Sequence, residues 1–165
     1  MLVFLLYLVE SLNITTIPQF LTPPTPRRSV SGVHCDQINH AFLFGGGSQY
    51  GEHYSDEMWK FGIDDHDWEQ VSLITPVMPE GRVAPAMATV GDMIYMYGGA
   101  CDHGPSSDFW SFDISKNIWV EIDVLGDNPG AVAYSAYANY NWDGNDYMAM
   151  FGGYSDTSAT NNFYM

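Results

Sequence analysis

The stretch Met93-Ile-Tyr-Met-Tyr-Gly-Gly99 decides the fold, because it is an apolar run that two glycines end. The same arrangement occurs at His40-Ala-Phe-Leu-Phe-Gly-Gly46 and at Tyr147-Met-Ala-Met-Phe-Gly-Gly153, so the glycine pairs are spaced by 53 and 54 residues. A fixed spacing of some tens of residues is typical of repeated structural units. The sequence therefore predicts three copies of one unit, each with a buried strand that ends at glycine.

Two tryptophans follow the glycine pair at fixed distances in the first two units. After a polar loop, these units continue with Trp-x-Phe-x-Ile, at Trp59–Ile63 and at Trp110–Ile114. Alternation with period two places the three large side chains on one face of a strand. A four-residue turn then leads to Trp68 or Trp119, nine residues after the first tryptophan. In the third unit, Asn161–Met165 is where the third strand is expected to begin.

A further short segment precedes each glycine pair, near residues 30–35, 84–90 and 133–138. Each unit is therefore expected to contain four strands, a to d, of which the third unit has only two and a fraction. A four-stranded twisted sheet that repeats radially is the blade of a β-propeller. No long segment carries apolar residues at helical spacing, so the predicted class is all-β.

These phased features resemble the kelch repeat, whose signature is a double glycine after the second strand and spaced aromatic residues in the third and fourth. The signature residues are Gly45, Gly46, Trp59, Trp68, Gly98, Gly99, Trp110, Trp119, Gly152 and Gly153. The resemblance implies a partial kelch-type β-propeller of four-stranded antiparallel blades, complete at residues 24–75 and 76–127 and truncated at 128–165. It also implies that further blades or another chain close the propeller, since propellers have ~4–8 blades.

The charge and cysteine content narrow the possible partners and sites. Twenty acidic against five basic residues give a net charge of −15, which would repel a phosphate backbone, so nucleic acid is not an expected partner. A basic protein surface fits better, although acidic loops that only keep the protein soluble would give the same composition.

No stretch reaches the ~18 apolar residues of a membrane span. Cys35 and Cys101 match no metal-ligand spacing and are expected to be buried free thiols.

The first 23 residues leave two alternatives open. Met1–Val9 has the character of the apolar part of a secretory signal, but no basic residue precedes it and no clear small-residue cleavage site follows it. The other interpretation is a strand from an incomplete preceding unit. A cytoplasmic location is favoured, and secretion requires residues 1–20 to act as a signal peptide.

The b–c and d–a loops leave the same end of every blade in an antiparallel meander. The b–c loops are expected at 47–56, 100–108 and 154–162, and the d–a loops near 73–81 and 123–130. They combine polar groups with aromatic rings, as peptide-binding surfaces do. The candidate partner-binding residues are Tyr50, His53, Tyr54, Arg82, Asp102, His103, Tyr154 and Asp156.

The resemblance adds a role for one arginine in each unit. In kelch proteins that bind peptides, this end is the usual recognition surface, and the arginine that introduces strand a often lines it. That role carries over to Arg82 and, in the first unit, to Arg28, while the third unit has lost the arginine near Ala131. The structural alternative for Arg82 is an ion pair with an acid such as Glu80.

The sequence shows no constellation for catalysis or metal binding. His53, His66 and His103 are isolated, and no HExxH or grouped ligand spacing occurs. Asn139-x-Asn141-x-Asp143-Gly144 imitates the opening of a calcium loop, but its twelfth position is Met150, so we interpret it as an a–b turn. We therefore expect no metal and no cofactor, and a non-enzymatic interaction or scaffolding module that binds a protein or peptide.

Two enzyme alternatives remain. A fragment of a secreted kelch-fold oxidase resembling galactose oxidase would need copper held by Tyr and His groups and a cysteine cross-linked to tyrosine. A plant-type specifier protein would need an iron site of spaced Glu, Asp and His. This stretch of sequence shows neither set.

Overall fold

The structure, a computed structural model, describes residues 22–48 and 53–165. Within those residues the backbone forms sixteen β-strands and no helix, which confirms the all-β prediction. The strands are β1 (Arg27–Arg28), β2 (Ser31–Cys35), β3 (His40–Phe44), β4 (Gly47–Ser48), β5 (Met58–Gly62), β6 (Trp68–Gln70), β7 (Arg82–Val83), β8 (Ala86–Val90), β9 (Met93–Tyr97), β10 (Ala100–Cys101), β11 (Gly104–Pro105), β12 (Phe109–Asp113), β13 (Ile118–Glu121), β14 (Ala136–Trp142), β15 (Asn145–Phe151) and β16 (Phe163–Tyr164).

Three sheets are the blades of a partial propeller. Blade 1 has the strand order β2-β3-β5-β6 and blade 2 the order β8-β9-β12-β13, with every neighbouring pair antiparallel. Blade 3 consists of β14-β15-β16 within the described residues. The predicted strands a to d occur in this order, so the two four-stranded blades and the shorter third blade are confirmed. The boundaries placed between the units remain predictions.

The two tryptophans of blade 2 pack this blade against blade 1. Phe112 of β12 is paired with Trp119 of β13, and their rings lie 4.9 Å apart. Across the interface, the Trp119 ring meets the edge of Phe44 in blade 1 at 5.4 Å. Edge-on ring pairs at this distance add to the stabilisation that burial gives. One buried cluster therefore joins both blades, and it contains Phe42, Phe44, Met58, Val71, Trp110, Phe112 and Trp119.

The first glycine of the pair in blades 1 and 2 lies close to the segment that leads into the next blade. Gly45 and Gly98 have φ values of 74° and 61°. A Cβ at Gly45 would lie 2.2 Å from the carbonyl oxygen of Arg82, and one at Gly98 would lie 2.3 Å from that of Val132. Both oxygens belong to the segment that leads into the next blade. Glycine is therefore required here for its backbone conformation and for its lack of a side chain.

Three residues without glycine's freedom also have left-handed backbone, just before strand a of each blade. The φ values are 52° at Ser29, 49° at Ala84 and 60° at Tyr134. The amide of Ala84 donates to the carbonyl of Ser29 at 2.8 Å, and the amide of Tyr134 donates to that of Ala84 at 3.1 Å. This conformation costs about 1–2 kcal/mol in such residues. The hydrogen bonds between blades offset that strain and link equivalent positions in series.

Several smaller predictions can also be compared with the structure. Asp143 and Gly144 both have positive φ and join β14 to β15, as in a two-residue type I′ hairpin turn, so the calcium-like segment belongs to the a–b hairpin. Cys35 and Cys101 are buried and free. Among the described residues, no helix is long and apolar enough to span a membrane. Residues 1–21, with both alternatives for them, and Tyr50 lie outside the described part of the chain.

Candidate functional site

The b–c and d–a loops of consecutive blades are hydrogen-bonded to each other. The amide of Gly46 donates to the carbonyl of Arg82 at 2.9 Å, and the amide of Arg82 donates to that of Ser55 at 3.2 Å. The same two bonds recur between blade 2 and the segment leading into blade 3. We call the resulting surface the loop face, and it comprises the described parts of loops 47–56, 73–81, 100–108, 123–130 and 154–162.

Asp102 joins the b–c loops of blades 1 and 2. Its Oδ2 lies 2.5 Å from Nδ1 of His53, and its Oδ1 accepts a hydrogen bond from the amide of Tyr54 at 3.2 Å. The bond to His53 is the main cause that holds the pKa of Asp102 below its usual value. Because the imidazole is largely exposed and the carboxylate partly so, both groups remain available to a partner. Three residues named from the sequence are thus in contact.

His103 and Asp156 extend this surface toward the neighbouring loops. Nε2 of His103 lies 3.0 Å from Oε2 of Glu80, which connects the second b–c loop to the d–a loop before it. Asp156 of the third b–c loop approaches Gly104, where a Cβ would lie 3.0 Å from its Oδ1. His103, Glu80 and Asp156 are all exposed. The loop face is therefore continuous over the three blades.

Tyr154 presents an exposed ring on a fixed backbone. Its amide donates to the carbonyl of Ala133 at 2.7 Å, and its carbonyl accepts from the amide of Ala133 at 3.0 Å. Half of the residue's surface is open to solvent. A ring held in this way can contact a partner with little loss of conformational entropy.

Arg82 is buried inside the blade and does not line the loop face with its side chain. Only 1% of it is exposed. Its Nη1 and Nη2 donate to the two carboxylate oxygens of Asp108 at 2.5 and 2.7 Å, and its Nη1 also donates to the carbonyl of Gly98 at 2.8 Å. Arg82 thus forms the ion pair with an acid that the structural alternative named, but the acid is Asp108, and Glu80 contributes only its backbone carbonyl, which accepts from Nε at 3.0 Å. The same carboxylate accepts the indole Nε1–H of Trp110 at 2.6 Å.

The equivalent arginine in blade 1 is Arg27, not Arg28. Nη2 of Arg27 donates to Oε2 of Glu57 at 2.7 Å, and that oxygen also accepts the indole N–H of Trp59 at 3.0 Å. Its Nη1 donates to the carbonyl of Gly45 at 3.1 Å, as Arg82 does to Gly98. Arg28 is exposed. The repeated Ser-x-acid-x-Trp spacing, at residues 55–59 and 106–110, was the sequence signal for this arrangement.

In the third blade, the arginine, the acid and the tryptophan of this arrangement are all replaced. Val132 stands in place of the arginine, since its carbonyl accepts from Gly99 as that of Arg82 accepts from Gly46. Asn162 and Tyr164 stand in place of the acid and the tryptophan, and Nδ2 of Asn162 donates to the Tyr164 hydroxyl at 3.0 Å. A neutral hydrogen bond thus replaces the charged one.

A pocket of about 250 Å³ opens on the loop face of blade 1, and its lining includes Arg27, His53, Tyr54, Asp56 and Glu57. Glu57 neutralises Arg27, whose side chain is mostly buried, so the exposed charge around the pocket is acidic. The arrangement can accept a cationic group between carboxylates beside a tyrosine ring. In the described part of the chain, no three His, Cys, Asp or Glu side chains converge as metal ligands.

A second cavity, of about 360 Å³, lies between blades 2 and 3 beside the d–a loop 123–130. Its apolar lining includes Tyr97, Phe109, Met148 and Met150. The hydroxyl oxygen of Tyr97 lies 2.9 Å from both Oδ1 of Asn128 and the carbonyl oxygen of Gly130, so its single proton has two acceptors within reach. Burial is the main cause that raises the pKa of Tyr97 to about 12, so this phenol stays protonated at physiological pH.

Comparison of the sequence with known proteins assigns the chain to a family. A family model described as the KLHDC2/KLHL20/DRC7 Kelch-repeats domain matches residues 3–165. Kelch domain-containing protein 2 of Bos taurus is 29% identical over 104 residues, which cover 61% of this chain and 24% of the relative. The Leucine-zipper-like transcriptional regulator 1 homolog of Drosophila melanogaster is 25% identical over 151 residues, or 87% of this chain and 15% of the relative.

One relative carries the name of an enzyme. The N-(sulfonatooxy)prop-2-enimidothioate sulfolyase of Thlaspi arvense is 27% identical over 134 residues, which cover 80% of this chain and 37% of that protein. The chain thus spans less than two-fifths of the length of each of these three relatives.

Proposed function

The chain belongs to the KLHDC2/KLHL20/DRC7 kelch-repeats family, and from this premise we propose that it is a non-enzymatic interaction module that binds a protein or peptide through the loop face. Kelch-repeat domains typically bind proteins. The observation that carries the proposal is the contact of Asp102 with His53 and Tyr54, which joins two loops of different blades into one surface.

The charge of the loop face supports a basic partner. Asp56, Asp102 and Asp156 are exposed on it, and the whole chain carries a net charge of −15. Complementary charge increases the association rate and selects among partners more than it increases affinity. The exposed ring of Tyr154 and the half-buried ring of Tyr54 supply contact area beside the carboxylates, because aromatic residues dominate binding energy at interfaces.

Selection of ligands from a displayed library of random peptides, with the full chain as bait, would test this proposal. We expect the selected peptides to be enriched in Lys and Arg. Replacement of Tyr54, Asp102 and Tyr154 together by alanine should weaken binding of a selected peptide by about 100-fold, as loss of interface anchors does. Arg82 is not included, since its substitution would act on the fold.

The matched control lies at the other end of blade 3. Tyr140, Trp142 and Asp143 are exposed on the a–b hairpin, and their joint replacement by alanine should change the dissociation constant less than about twofold. Equal loss in both triple variants would contradict the assignment to the loop face. The oxidase alternative gains no support from the relatives, because the enzyme among the three described above is named as a sulfolyase.

A further inference from the structure

Two histidines of the loop face each contact a carboxylate from another loop. Nδ1 of His53, in the first b–c loop, lies 2.5 Å from Oδ2 of Asp102 in the second. Nε2 of His103, the next residue along the chain, lies 3.0 Å from Oε2 of Glu80 in the d–a loop before blade 2. Imidazole and carboxylate thus alternate over four side chains, which we call the histidine row: His53, Asp102, His103 and Glu80. The row joins three loops of the loop face.

Asp102 responds to both imidazoles of the row. Its bond to His53 is the main cause that lowers its pKa, and the charges of His53 and His103 lower this pKa further. Oδ1 of the same carboxylate accepts a hydrogen bond from the amide of Tyr54 at 3.2 Å. A change of charge on either ring therefore acts on a group that also holds the backbone of the first b–c loop.

The charged groups that surround the row are acidic, except for one arginine that is already paired. Those in the pocket beside His53 are Asp56, Glu57 and Arg27. The ion pair between Glu57 and Arg27, at 2.7 Å, leaves no net charge on these two. On the side of His103, Asp156 approaches the next residue of the chain. Among the described residues of the loop face, the two histidines are thus the groups that can turn from neutral to cationic.

Both rings are open to water, so they can gain and lose a proton freely. The side chain of His53 is 81% exposed and that of His103 is 77% exposed. Imidazole is the side chain whose charge ordinarily changes between pH 5 and 8, whereas exposed carboxylates stay largely ionised over that range. Toward pH 5 the loop face therefore gains as many as two positive charges beside carboxylates that remain negative.

We propose that the histidine row makes capture of a basic partner depend on pH, a step that rests on the function proposed above for the loop face. Binding is tight above pH 7 and weak near pH 5. A protonated imidazole repels the cationic side chains of such a partner and competes with them for Asp102 and Glu80. Because the free protein then binds more protons than the complex does, the affinity falls as the pH falls.

Binding of acetylated and amidated hexa-arginine to the full chain measures this dependence, because the charge of arginine is constant between pH 5 and 8. In 0.15 M salt we expect the dissociation constant, measured by calorimetry, to rise about fivefold between pH 8 and pH 5.5, as a change in two exposed charge contacts predicts. Joint replacement of His53 and His103 by glutamine should reduce this rise to less than about twofold, whatever the affinity at pH 8.

Two histidines at the opposite end of the blades serve as the matched control. His34 is exposed and pairs with Asp36 at 2.9 Å, and His66 is exposed on the c–d turn of blade 1. Because salt at this concentration screens exposed charges beyond about 8 Å, glutamine at both positions should retain the fivefold dependence. Loss of the dependence in this variant as well would assign it to the charge of the whole chain and would overturn the role of the row.

NMR separates titration of the row from binding of a partner. The amide of Tyr54 should shift between pH 5 and 8 together with the ring protons of His53, and Asp102→Asn should remove this coupling. A Tyr54 amide that does not respond to pH would overturn the proposal even if hexa-arginine binds. Equal binding at pH 8 and pH 5.5 would also overturn it but would leave the basic partner in place. Absence of binding at any pH would contradict the function proposed for the loop face, and the pH dependence with it.

Discussion

Two of the few basic residues lie inside the blades rather than on their surface. The chain has only five Lys and Arg residues, and two of them, Arg27 and Arg82, are largely buried against Glu57 and Asp108. Each guanidinium also donates to the carbonyl of the first glycine in its blade. The interior ion pairs therefore remove positive charge from the loop face, which leaves exposed carboxylates to determine its charge.

Breaking the pair in blade 2 should destabilise the fold. Arg82→Met leaves the carboxylate of Asp108 without its bidentate partner, and we expect a loss of about 3 kcal/mol in the free energy of unfolding, because Asp108 keeps some access to water. Arg28→Met is the matched control, since Arg28 is exposed, and it should change stability by less than about 0.5 kcal/mol. Urea unfolding followed by tryptophan fluorescence measures both, and equal losses would refute the structural role of Arg82.

The same pair predicts a pH dependence of stability. Burial raises the pKa of Asp108, but the hydrogen bonds from Arg82 and Ser106, together with the charge of Arg82, outweigh burial and leave the pKa below its usual value. A depressed pKa contributes stability that is fully present above the unfolded value of about 3.9 and is lost as the pH falls through the folded value. We expect the difference in unfolding free energy between wild type and Arg82→Met to shrink below about pH 4. A constant difference between pH 3 and pH 7 would contradict this coupling.

At the level of strands, most of the prediction rested on the alternation of apolar residues and on the positions of the glycines. They located β3, β9 and β15 because an apolar run that ends at glycine has one simple interpretation. The arginine was misplaced by one residue in blade 1, since Arg27 and Arg28 are adjacent and only their contacts in the structure, with Glu57 and Gly45, distinguish them. None of the left-handed residues before strand a is a glycine, so nothing in the sequence indicated their backbone conformation.

The contacts of the loop face depend on more than the sequence pattern. His53 and Asp102 are 49 residues apart, and their contact is set by how two blades pack rather than by either loop alone. Sequence reasoning could name both residues as candidates, because the loops leave the same end of each blade. It could not pair them, since no periodicity relates one loop tip to the next.

The close approach of strand b to the next blade predicts a sharp cost for a methyl group. In Gly45→Ala the new Cβ would meet the Arg82 carbonyl oxygen at 2.2 Å, in addition to the strain of a positive φ. Gly91→Ala carries similar strain, with φ of 56°, but nothing lies within 4 Å of its Cβ. We expect a loss of about 1 kcal/mol for Gly91→Ala and about 1–3 kcal/mol more for Gly45→Ala. Thermal and urea unfolding of both variants would measure the difference in unfolding free energy. Equal losses would show that the close contact with the Arg82 carbonyl oxygen adds no cost.

For the molecule as a whole, the two ends of the row of blades differ in chemistry. Blade 1 offers an aromatic face of half-buried rings, Trp59, Phe61 and Trp68, to the side that lies before it. Blade 3 offers Phe151 and Phe163, which are 52% and 62% exposed, at the positions of Phe44 and Met58, both of which are 0% exposed. An apolar face of this kind marks an interaction surface or a tendency to aggregate.

Replacing the two exposed phenylalanines of blade 3 should reduce dye binding and aggregation of the 165-residue chain without lowering its stability. Threonine keeps the β-strand preference of the replaced residues while it removes apolar area, so the double variant Phe151→Thr and Phe163→Thr should bind less of the dye ANS and scatter less light on heating. Its unfolding midpoint should change by less than about 2 °C, because both side chains are exposed. Phe44→Thr, at the buried equivalent of Phe151, should instead lower the unfolding free energy by about 3 kcal/mol. Undiminished dye binding by the double variant would show that the exposed face of blade 3 is not the surface that binds the dye.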